Sequence, residues 1–374
     1  MANTVRPPAE VRYADELKAI AANDPHPKPP GWKLSPRAVR TFILGSQGEA
    51  LSHKQGRKTI KTAITQKFYG DDALIDRSVV TLAGNRGLLL VGEPGTAKSM
   101  LSELFSAAIS GDSTNTIQGT AGVTEDQIKY SWNYALLIAA GPSPQALIPS
   151  PLYVALQQGK LVRFEEITRC PPEIQDSLVS VLSDKVLMVP ELDGAERVLL
   201  AQKGFNVIAT ANIRDRGVNE MSSALKRRFN FETVAPIADR ALEQQLVMEQ
   251  TQALLIESEV SAAIAPDVIE LLVSTFHDLR SGRTAEGIVV ERPSTVMSTA
   301  EAVAVGVSAG LDAHYLGDGV VTSQHIVRNL LGSVLKDNPE DAKKLTHYFN
   351  VVVKSRAQTS PTWEAYYKAR KWLR

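Results

Sequence analysis

The chain has 374 residues, enough for two or three domains that each bury a hydrophobic core. Its 41 basic and 41 acidic residues cancel, which disfavours a protein whose main task is to coat nucleic acid. The single cysteine, Cys170, excludes an intrachain disulfide and a cysteine-based metal site. The most apolar stretch, 296–311, is too short to span a bilayer. Because the sequence also lacks a charged and then apolar start, we expect a cytoplasmic protein without a membrane partner.

The first 55 residues are predicted to form a helical extension and a linker. Four prolines between residues 25 and 30 predict an extended segment, because proline fixes φ and lacks a backbone N–H group. Ser35 followed by Pro36 predicts the start of a helix. The sequence leaves two roles open for the extension, which are docking of a partner and packing on the main domain.

The next stretch leads into the first predicted buried strand. The apolar spacing over 58–68 predicts a helix, and Asp71 is a suitable N-cap for a second helix over 72–83. The short break between them, 68–70, either lines an adenine base or simply packs against the domain. Tyr69 is the candidate adenine contact.

Residues 87–99, GLLLVGEPGTAKS, predict a nucleotide-binding loop. An apolar run without alternation indicates a strand buried on both faces. The glycine-bearing loop, Lys98 and Ser99 follow the pattern in which backbone N–H groups cradle a triphosphate, lysine contacts its terminal phosphates and serine holds magnesium. Ala97 replaces the second glycine of the pattern, and we expect a mild effect if this residue has helical dihedrals. The predicted nucleotide contacts in this segment are Gly92, Glu93, Pro94, Gly95, Thr96, Ala97, Lys98, Ser99 and Met100.

An irregular stretch, 119–149, follows the next predicted helix and strand. Its apolar run 135–140 and the Gly-Pro sequence after it predict a strand, a turn and a second short strand. Such a hairpin insertion either contacts a partner through its aromatic and aliphatic residues or folds back onto the core.

Two adjacent acids end the apolar strand in KLVRFEEI, residues 160–167. Downstream of a phosphate loop, Glu165 is placed to hold the metal through water, and Glu166 to polarise the attacking water. Arg163 is unexpected in a fully buried strand, so we expect either one open face of the sheet or a paired guanidinium group.

Polar groups that follow the next strands complete the candidate site. Residues 186–200 predict a second hairpin, and 205–211 another buried strand. Asn212 at its end either orients water near the γ-phosphate or forms a turn. Arg227 and Arg228 close a short helix, either as a solvated charge cluster or as a group aimed at the γ-phosphate in a neighbouring subunit.

The segments GEPGTAKS, LVRFEEI, IATAN and ALKRRF, in this order, resemble the AAA+ ATPases, particularly the MoxR-like branch. The resemblance implies an α/β fold, with a P-loop core whose parallel sheet lies between helices and a small helical lid after it. It also implies a helix-2 insert and a pre-sensor-1 hairpin. The expected domains are an extension at 1–55, the ATPase core at 56–236, the lid at 237–337 and a basic aromatic helical segment at 338–374. The chain after Pro236 is predicted to be helical over 239–256, 266–280, 294–309 and 323–335, which suits this lid.

The resemblance also assigns roles to individual residues. Lys98 and Ser99 match Walker A, Glu165 and Glu166 match Walker B, Asn212 matches sensor 1, and Arg228 matches the arginine finger with Arg227 as its neighbour. Two positions depart from the pattern. Glu165 stands where the family usually has aspartate, and the candidate sensor 2 residue, Arg292, precedes Pro293 although the branch tends to place an arginine after a proline.

These features predict an ATP-hydrolysing, magnesium-dependent ring motor, a homo-hexamer that remodels or matures a protein partner. The resemblance suggests a chaperone-like role and a client that carries a von Willebrand factor A domain. One alternative is a scaffold that binds ATP and hydrolyses little, as the unusual Glu165 permits. Another is a nucleic-acid motor that uses the basic aromatic tail, which the neutral net charge disfavours because binding nucleic acid calls for a basic field.

Overall fold

The computed structural model describes residues 5–55, 58–212, 217–334, 336 and 338–373. The chain folds as two compact units. The first unit comprises Met1–Gly92 and Ala97–Val234, and the second comprises Glu93–Thr96 and Ala235–Arg374. Within the described ranges, no helix is both long and apolar enough to cross a membrane.

The first unit contains both strands and helices. Its strands are β1 Ala50–Gln55, β2 Lys58–Ala63, β3 Gly87–Gly92, β4 Thr116–Gln118, β5 Tyr130–Trp132, β6 Leu147–Pro149, β7 Leu161–Glu165, β8 Val186–Met188, β9 Val198–Leu200, β10 Asn206–Asn212 and β11 Phe229–Thr233. Its helices are α1 Ala9–Arg12, α2 Ala14–Ala22, α3 Pro36–Leu44, α4 Asp72–Ala83, α5 Lys98–Ser110, α6 Glu125–Ile128, α7 Tyr134–Ala140, α8 Pro151–Gln158, α9 Pro172–Asp176, α10 Leu178–Asp184 and α11 Ser223–Lys226.

A five-stranded sheet with the order β11-β3-β10-β7-β4 forms the centre of this unit. All neighbouring strands in it are parallel. Every residue of β3 and of β10 is buried, as their non-alternating apolar sequences predict. The carboxyl ends of parallel strands share one edge, where Asn212 lies opposite Gly92 and Gln118 opposite Glu165. This confirms the predicted α/β fold with a parallel sheet.

Two secondary-structure predictions in the first unit are wrong. The segment 58–68 does not form a helix, because Lys58–Ala63 pairs antiparallel with β1 and presents alternately exposed side chains. The run 135–140 is not a strand but the helix α7, capped by the Asn133 side chain, which accepts a hydrogen bond from the backbone of Leu136. The short strands β5 and β6 on either side of α7 do pair antiparallel, so the insertion keeps a hairpin base.

The N-terminal helices pack on the first unit. The backbone N–H of Ala9 donates to Glu103 Oε1 on α5 at 3.1 Å, and Arg6 forms an ion pair with Glu103 at 2.8 Å. Lys67 Nζ bonds both Glu16 on α2 and the carbonyl of Phe42. Of the two roles left open for the extension, these contacts support packing.

The second unit is helical, apart from one short parallel strand pair. Its elements are α12 Arg240–Glu257, β12 Ala263–Ile264, α13 Pro266–Ser281, α14 Thr299–Leu316, β13 Val320–Val321, α15 Ser323–Val334, α16 Glu340–Tyr348, a π-helical turn Phe349–Val353, α17 Lys354–Arg356 and α18 Pro361–Ala369. We expected a helix over 294–309, but α14 begins at Thr299, where Ser298 and Glu301 form a capping box. The backbone N–H groups of Ser294 and Thr295, which precede this cap, donate to the carboxylate of Asp341.

A buried polar cluster fixes the C-terminal segment within the second unit. Asp278, whose side chain is fully buried, accepts a hydrogen bond at 2.9 Å from the Tyr348 hydroxyl and forms an ion pair at 2.9 Å with the guanidinium of Arg356. Arg356 also binds Glu286 and lies 4.7 Å from the Trp363 ring centroid. The basic aromatic segment therefore shares the core of the second unit. The predicted boundaries at residues 56 and 337 lie outside the described residues, and the domain limits stay predictions.

Candidate functional site

The phosphate loop leaves the sheet after Gly92 and enters α5 at Lys98. Gly95 has φ of +75°, a conformation that glycine adopts without strain. Ala97 has φ of +67° and ψ of +14°, which places it in the left-handed region. Our expectation of helical dihedrals at Ala97 is therefore wrong, because its backbone needs the geometry for which the pattern uses glycine. A left-handed alanine costs about 1–2 kcal/mol.

Lys98 and Ser99 open α5 next to this loop. The Lys98 side chain is buried, and its Nζ lies 3.2 Å from the carbonyl oxygen of Gly92, to which it donates. The ammonium group is thus held at the edge of the sheet where the loop begins. The Thr96 hydroxyl donates to the carbonyl of Glu93 at 2.9 Å, which closes the loop on itself.

Ser99 and Glu165 form the predicted metal pair. The Ser99 hydroxyl donates to Glu165 Oε2 at 2.7 Å. Hydroxyl and carboxylate oxygens are hard donors of the kind that Mg²⁺ selects, and Mg²⁺ commonly uses one or two such protein groups together with phosphates and water. The residues present therefore fit a magnesium ion. Among the described residues, no cluster of three or more histidine, cysteine, aspartate or glutamate side chains offers another metal site.

Four side chains hold the Glu165 carboxylate, which is only 5% exposed. Oε2 accepts from Ser99 and from the Thr210 hydroxyl at 2.8 Å, whereas Oε1 accepts from the Ser102 hydroxyl at 2.5 Å and from Arg163 Nη2 at 2.9 Å. Burial alone would raise the pKa of Glu165, but these hydrogen bonds and the arginine charge outweigh it and lower the pKa. The carboxylate is therefore ionised, and Arg163 proves to be the paired guanidinium that the sequence left as one of two options.

Glu166 points to a different partner. Its backbone is left-handed, with φ of +55° and ψ of +45°, which ends the strand and separates its side chain from that of Glu165. Its Oε1 accepts a hydrogen bond from Asn212 Nδ2 at 2.8 Å, and Arg169 lies 3.6 Å from its Oε2. Backbone strain of this kind is concentrated at functional sites. The two adjacent acids thus have separate environments, one in the Ser99 pair and one beside the Asn212 amide.

Thr210 and Gly119 link the acids to the sheet, and the sequence did not single them out. The Thr210 hydroxyl accepts from the backbone N–H of Glu166 at 3.0 Å while it donates to Glu165. Gly119 N donates to the Glu165 carbonyl at 2.7 Å, and a Cβ at Gly119 would lie 2.3 Å from the Glu166 carbonyl oxygen. A polar residue within the apolar strand FNVIATA was a usable signal for Thr210. Ser102 was also not singled out, and its spacing of one helical turn from Ser99 was the usable signal for it.

The two arginines lie at the other end of the sheet. The carbonyl of Arg228 accepts from Gly87 N at 2.9 Å, at the start of β3, while the phosphate loop leaves β3 at Gly92. The Arg228 guanidinium donates to Ser183 Oγ at 2.7 Å and to the Ala224 carbonyl at 2.6 Å. The Arg227 side chain is exposed, and within the described part of the chain no group accepts a hydrogen bond from it. The fold does not bring these arginines to the loop of their own chain.

The remaining candidates lie before α4, in the loop, on α5 and in the second unit. Tyr69 is half-buried just before α4, and Met100 is exposed on α5. Glu93 and Pro94 are half-buried in the loop. Arg292 is exposed in the second unit, and its Nη2 donates to the Ser281 carbonyl at 2.6 Å. Their contacts with a nucleotide stay predictions.

Comparison with known proteins assigns the family. Residues 87–229 match the family described as AAA domain (dynein-related subfamily), and residues 241–374 match the YehL-like AAA+ ATPase C-terminal domain. YehL of Escherichia coli (strain K12) is 50% identical over 365 residues, covering 98% of this chain and 96% of that protein. The chain belongs to the YehL-like AAA+ ATPases.

Weaker similarities cover only part of this YehL-like chain. Gas vesicle ATPase GvpN2 of Halobacterium salinarum is 27% identical over 134 residues, which is 36% of each protein. The crystal structure of NtrX from Brucella abortus in complex with ADP aligns at a TM-score of 0.49 and 13% identity, covering 82% of this chain and 64% of that one.

Proposed function

We propose that this YehL-like protein is an ATP-hydrolysing AAA+ ring motor of the MoxR type that remodels or matures a protein partner in the cytoplasm. One observation carries the catalytic part of the proposal. A single edge of the parallel sheet holds the Lys98 ammonium group, the Ser99–Glu165 oxygen pair and the separate Glu166–Asn212 pair. Ligands of open α/β sheets bind at this edge. The relative named gas vesicle ATPase GvpN2 supports hydrolysis of ATP.

The residues at this edge divide the work of hydrolysis between them. Lys98 and the loop N–H groups would bind the phosphates, and Ser99 and Glu165 would hold Mg²⁺, which would supply positive charge to neutralise the phosphates. Glu166 accepts the proton of the water that attacks the γ-phosphorus as the bond to the bridging oxygen breaks. Asn212 fixes the Glu166 carboxylate through their 2.8 Å hydrogen bond, so that the general base is oriented before substrate binds.

The position of the arginines supports a ring. Arg228 is hydrogen-bonded to Gly87, five residues before the loop starts at Gly92. At a rise of about 3.3 Å per residue this is roughly 16 Å along the strand, further than an arginine side chain extends. This distance supports our proposal that the arginine acts in the site of a neighbouring subunit and not in the site of its own chain. Arg227 is exposed, whereas Arg228 must first release Ser183 and the Ala224 carbonyl.

The two insertions support a protein client. No residue of α7 is buried, and Tyr134 and Ile138 are 69% and 86% exposed. The β8–β9 hairpin exposes Met188 and Leu200. Apolar surface of this kind is typical of protein contacts. We propose a homo-hexamer whose client carries a von Willebrand factor A domain, a client class that follows from the MoxR resemblance. The nucleic-acid motor is less well supported, because Tyr366 of its presumed binding tail is fully buried in the core.

Phosphate release from purified protein tests the reaction. The wild type is expected to release phosphate only with both ATP and Mg²⁺. Glu166→Gln should keep ATP affinity and lose turnover about 100-fold or more, because it removes the base but keeps a group that Asn212 can contact. Glu270→Gln, the same substitution at an exposed glutamate of α13, is the matched surface control. Tight ATP binding without phosphate release by the wild type would instead support the scaffold.

Mixed assemblies test the action between subunits. Arg227→Ala and Arg228→Ala should each be compared with Glu166→Gln, alone and mixed with it in verified oligomers. An arginine that acts in a neighbouring site is expected to contribute about 10³-fold or more to turnover. Its variant mixed with Glu166→Gln should regain activity, because some sites then combine an intact base with an intact arginine. Absence of any recovery in both mixtures would contradict the proposed ring site.

A further inference from the structure

Arg163 lies in the middle of β7 with its side chain only 12% exposed. Its guanidinium makes four hydrogen bonds in the first unit. Nη2 donates to Glu165 Oε1 at 2.9 Å and to the Ser99 carbonyl at 3.1 Å, Nε donates to Ser102 Oγ at 3.0 Å, and Nη1 donates to the Ser113 carbonyl at 3.0 Å. A planar group with this many fixed acceptors has one orientation.

The bonds to Glu165 are asymmetric. Oε1 is held by a cation and by Ser102, which is itself fully buried and is held by Arg163. Among the residues that the structure describes, the hydrogen-bond partners of Oε2 are two hydroxyl groups, those of Ser99 and Thr210. A carboxylate oxygen already bound to an arginine is a poor ligand for a second cation, because the two positive charges repel each other. Oε2, which accepts a hydrogen bond from the Ser99 hydroxyl, is therefore the oxygen of Glu165 that suits a metal ion.

We propose that Arg163, together with Ser102, is a positioning residue that clamps Oε1 of Glu165 and so presents Oε2 alone to the metal. The inference rests on the proposed Mg²⁺-dependent function and extends it. Glutamate has one more rotatable bond than the aspartate usual at this position, so its carboxylate would otherwise sample more orientations. The clamp removes that freedom and lets the longer side chain serve in this site.

Binding of a fluorescent ADP analogue to the full-length protein tests the clamp. Affinity is measured in EDTA and then as a function of Mg²⁺ concentration, in the wild type, Arg163→Ala, Arg163→Lys and Ser102→Ala. Groups that orient a metal ligand typically contribute 10-fold to 100-fold to metal affinity. We therefore expect Arg163→Ala to raise the half-saturating Mg²⁺ concentration about tenfold and to leave affinity in EDTA unchanged. Arg163→Lys should recover part of the loss, because it restores the charge but not the planar fork.

Two further variants make the result specific. Lys160→Ala removes the cation that immediately precedes β7. Lys160 pairs with Asp112 at 2.8 Å and does not contact Glu165, so the Mg²⁺ dependence of this variant should match that of the wild type. Glu165→Asp withdraws the carboxylate from the clamp. Adding Arg163→Ala to Glu165→Asp should therefore change the Mg²⁺ requirement much less than it does in the wild type.

The outcomes separate the clamp from the function on which it rests. A Mg²⁺ requirement that is unchanged or lowered in Arg163→Ala would overturn the clamp, as would an equal effect of Arg163→Ala in both backgrounds. If Arg163→Ala does not fold, the Mg²⁺ requirement of Ser102→Ala decides, because this variant removes one donor to Oε1 and leaves the ion pair between Arg163 and Glu165. A wild type that binds no nucleotide under either condition would refute the proposed function itself.

Discussion

Replacement of Thr210 by valine isolates one hydroxyl group that connects both acids of the site. Valine has nearly the same shape, so it leaves no cavity in this fully buried position. The hydroxyl donates to the ionised Glu165 at 2.8 Å and accepts from the backbone N–H of Glu166 at 3.0 Å. A hydrogen bond to a charged group is worth about 1.5–3 kcal/mol and a neutral one about 1 kcal/mol.

We therefore expect Thr210→Val to lower the free energy of unfolding by about 2–4 kcal/mol, measured by urea denaturation. The rate of ATP turnover should fall by more than this loss in the free energy of unfolding would cause by itself. The left-handed Glu166 loses the acceptor that fixes its backbone, and a displacement of about 1 Å in a catalytic group can cost about 100-fold in rate. ATP affinity should change little, because Thr210 lies behind the acids and not in the phosphate loop.

The matched control is Thr210→Ser, which keeps the hydroxyl and loses one methyl group. It should cost about 1 kcal/mol in stability and retain most of the turnover. Phosphate release by folded Thr210→Val at the rate of the wild type would refute the role of this hydroxyl. Equal impairment of the serine and valine variants would do so too, because the loss would then come from packing.

Three other predictions concern the loop and the second unit. Ala97→Gly should raise the free energy of unfolding by about 0.5–1 kcal/mol, since relief of the left-handed alanine exceeds the added entropy of the unfolded chain; a lower thermal midpoint would contradict this. Arg356→Met should cost about 3–5 kcal/mol because it leaves Asp278 buried and without its cation, and adding Asp278→Asn should recover part of the loss in urea denaturation. The hydrogen bond from Arg356 lowers the pKa of Glu286 from 4.5 to about 2. The stability that this pair contributes is thus fully present above pH 4.5 and lost as the pH falls toward 2, so the wild type should exceed Glu286→Gln in stability at pH 7 and converge with it in acid.

Much of the first unit follows from local sequence signals. The predicted cap at Asp71 and the helix over 72–83 are confirmed, as is the buried strand before the phosphate loop. The antiparallel pairing of β8 with β9 confirms the second hairpin. These signals are strong because they depend on neighbouring residues, either through capping or through a continuous apolar run.

The errors arise where distant contacts outweigh local preference. The segment 58–68 has apolar residues at helical spacing, yet Lys58–Ala63 forms β2 because it pairs with β1. The helix expected from residue 294 begins at Thr299, where Ser298 caps it. The backbone N–H groups of Ser294 and Thr295 bind Asp341, which is 47 and 46 residues away in the chain. A periodicity of side chains carries no information about such partners.

The sequence by itself determined the order of the site: a phosphate loop, two acids, an asparagine and an arginine pair, each tied to the end of a strand or helix. Only the tertiary structure decided which groups meet. Parallel register brings Asn212 to Glu166 and Thr210 to both acids, while the same register leaves Arg227 and Arg228 at the opposite end of β3. The backbone angles of Ala97 and the pairing of Arg163 with Glu165 were likewise undetermined, because each depends on hydrogen bonds between segments that are distant in the chain or on strain that residue type alone does not reveal.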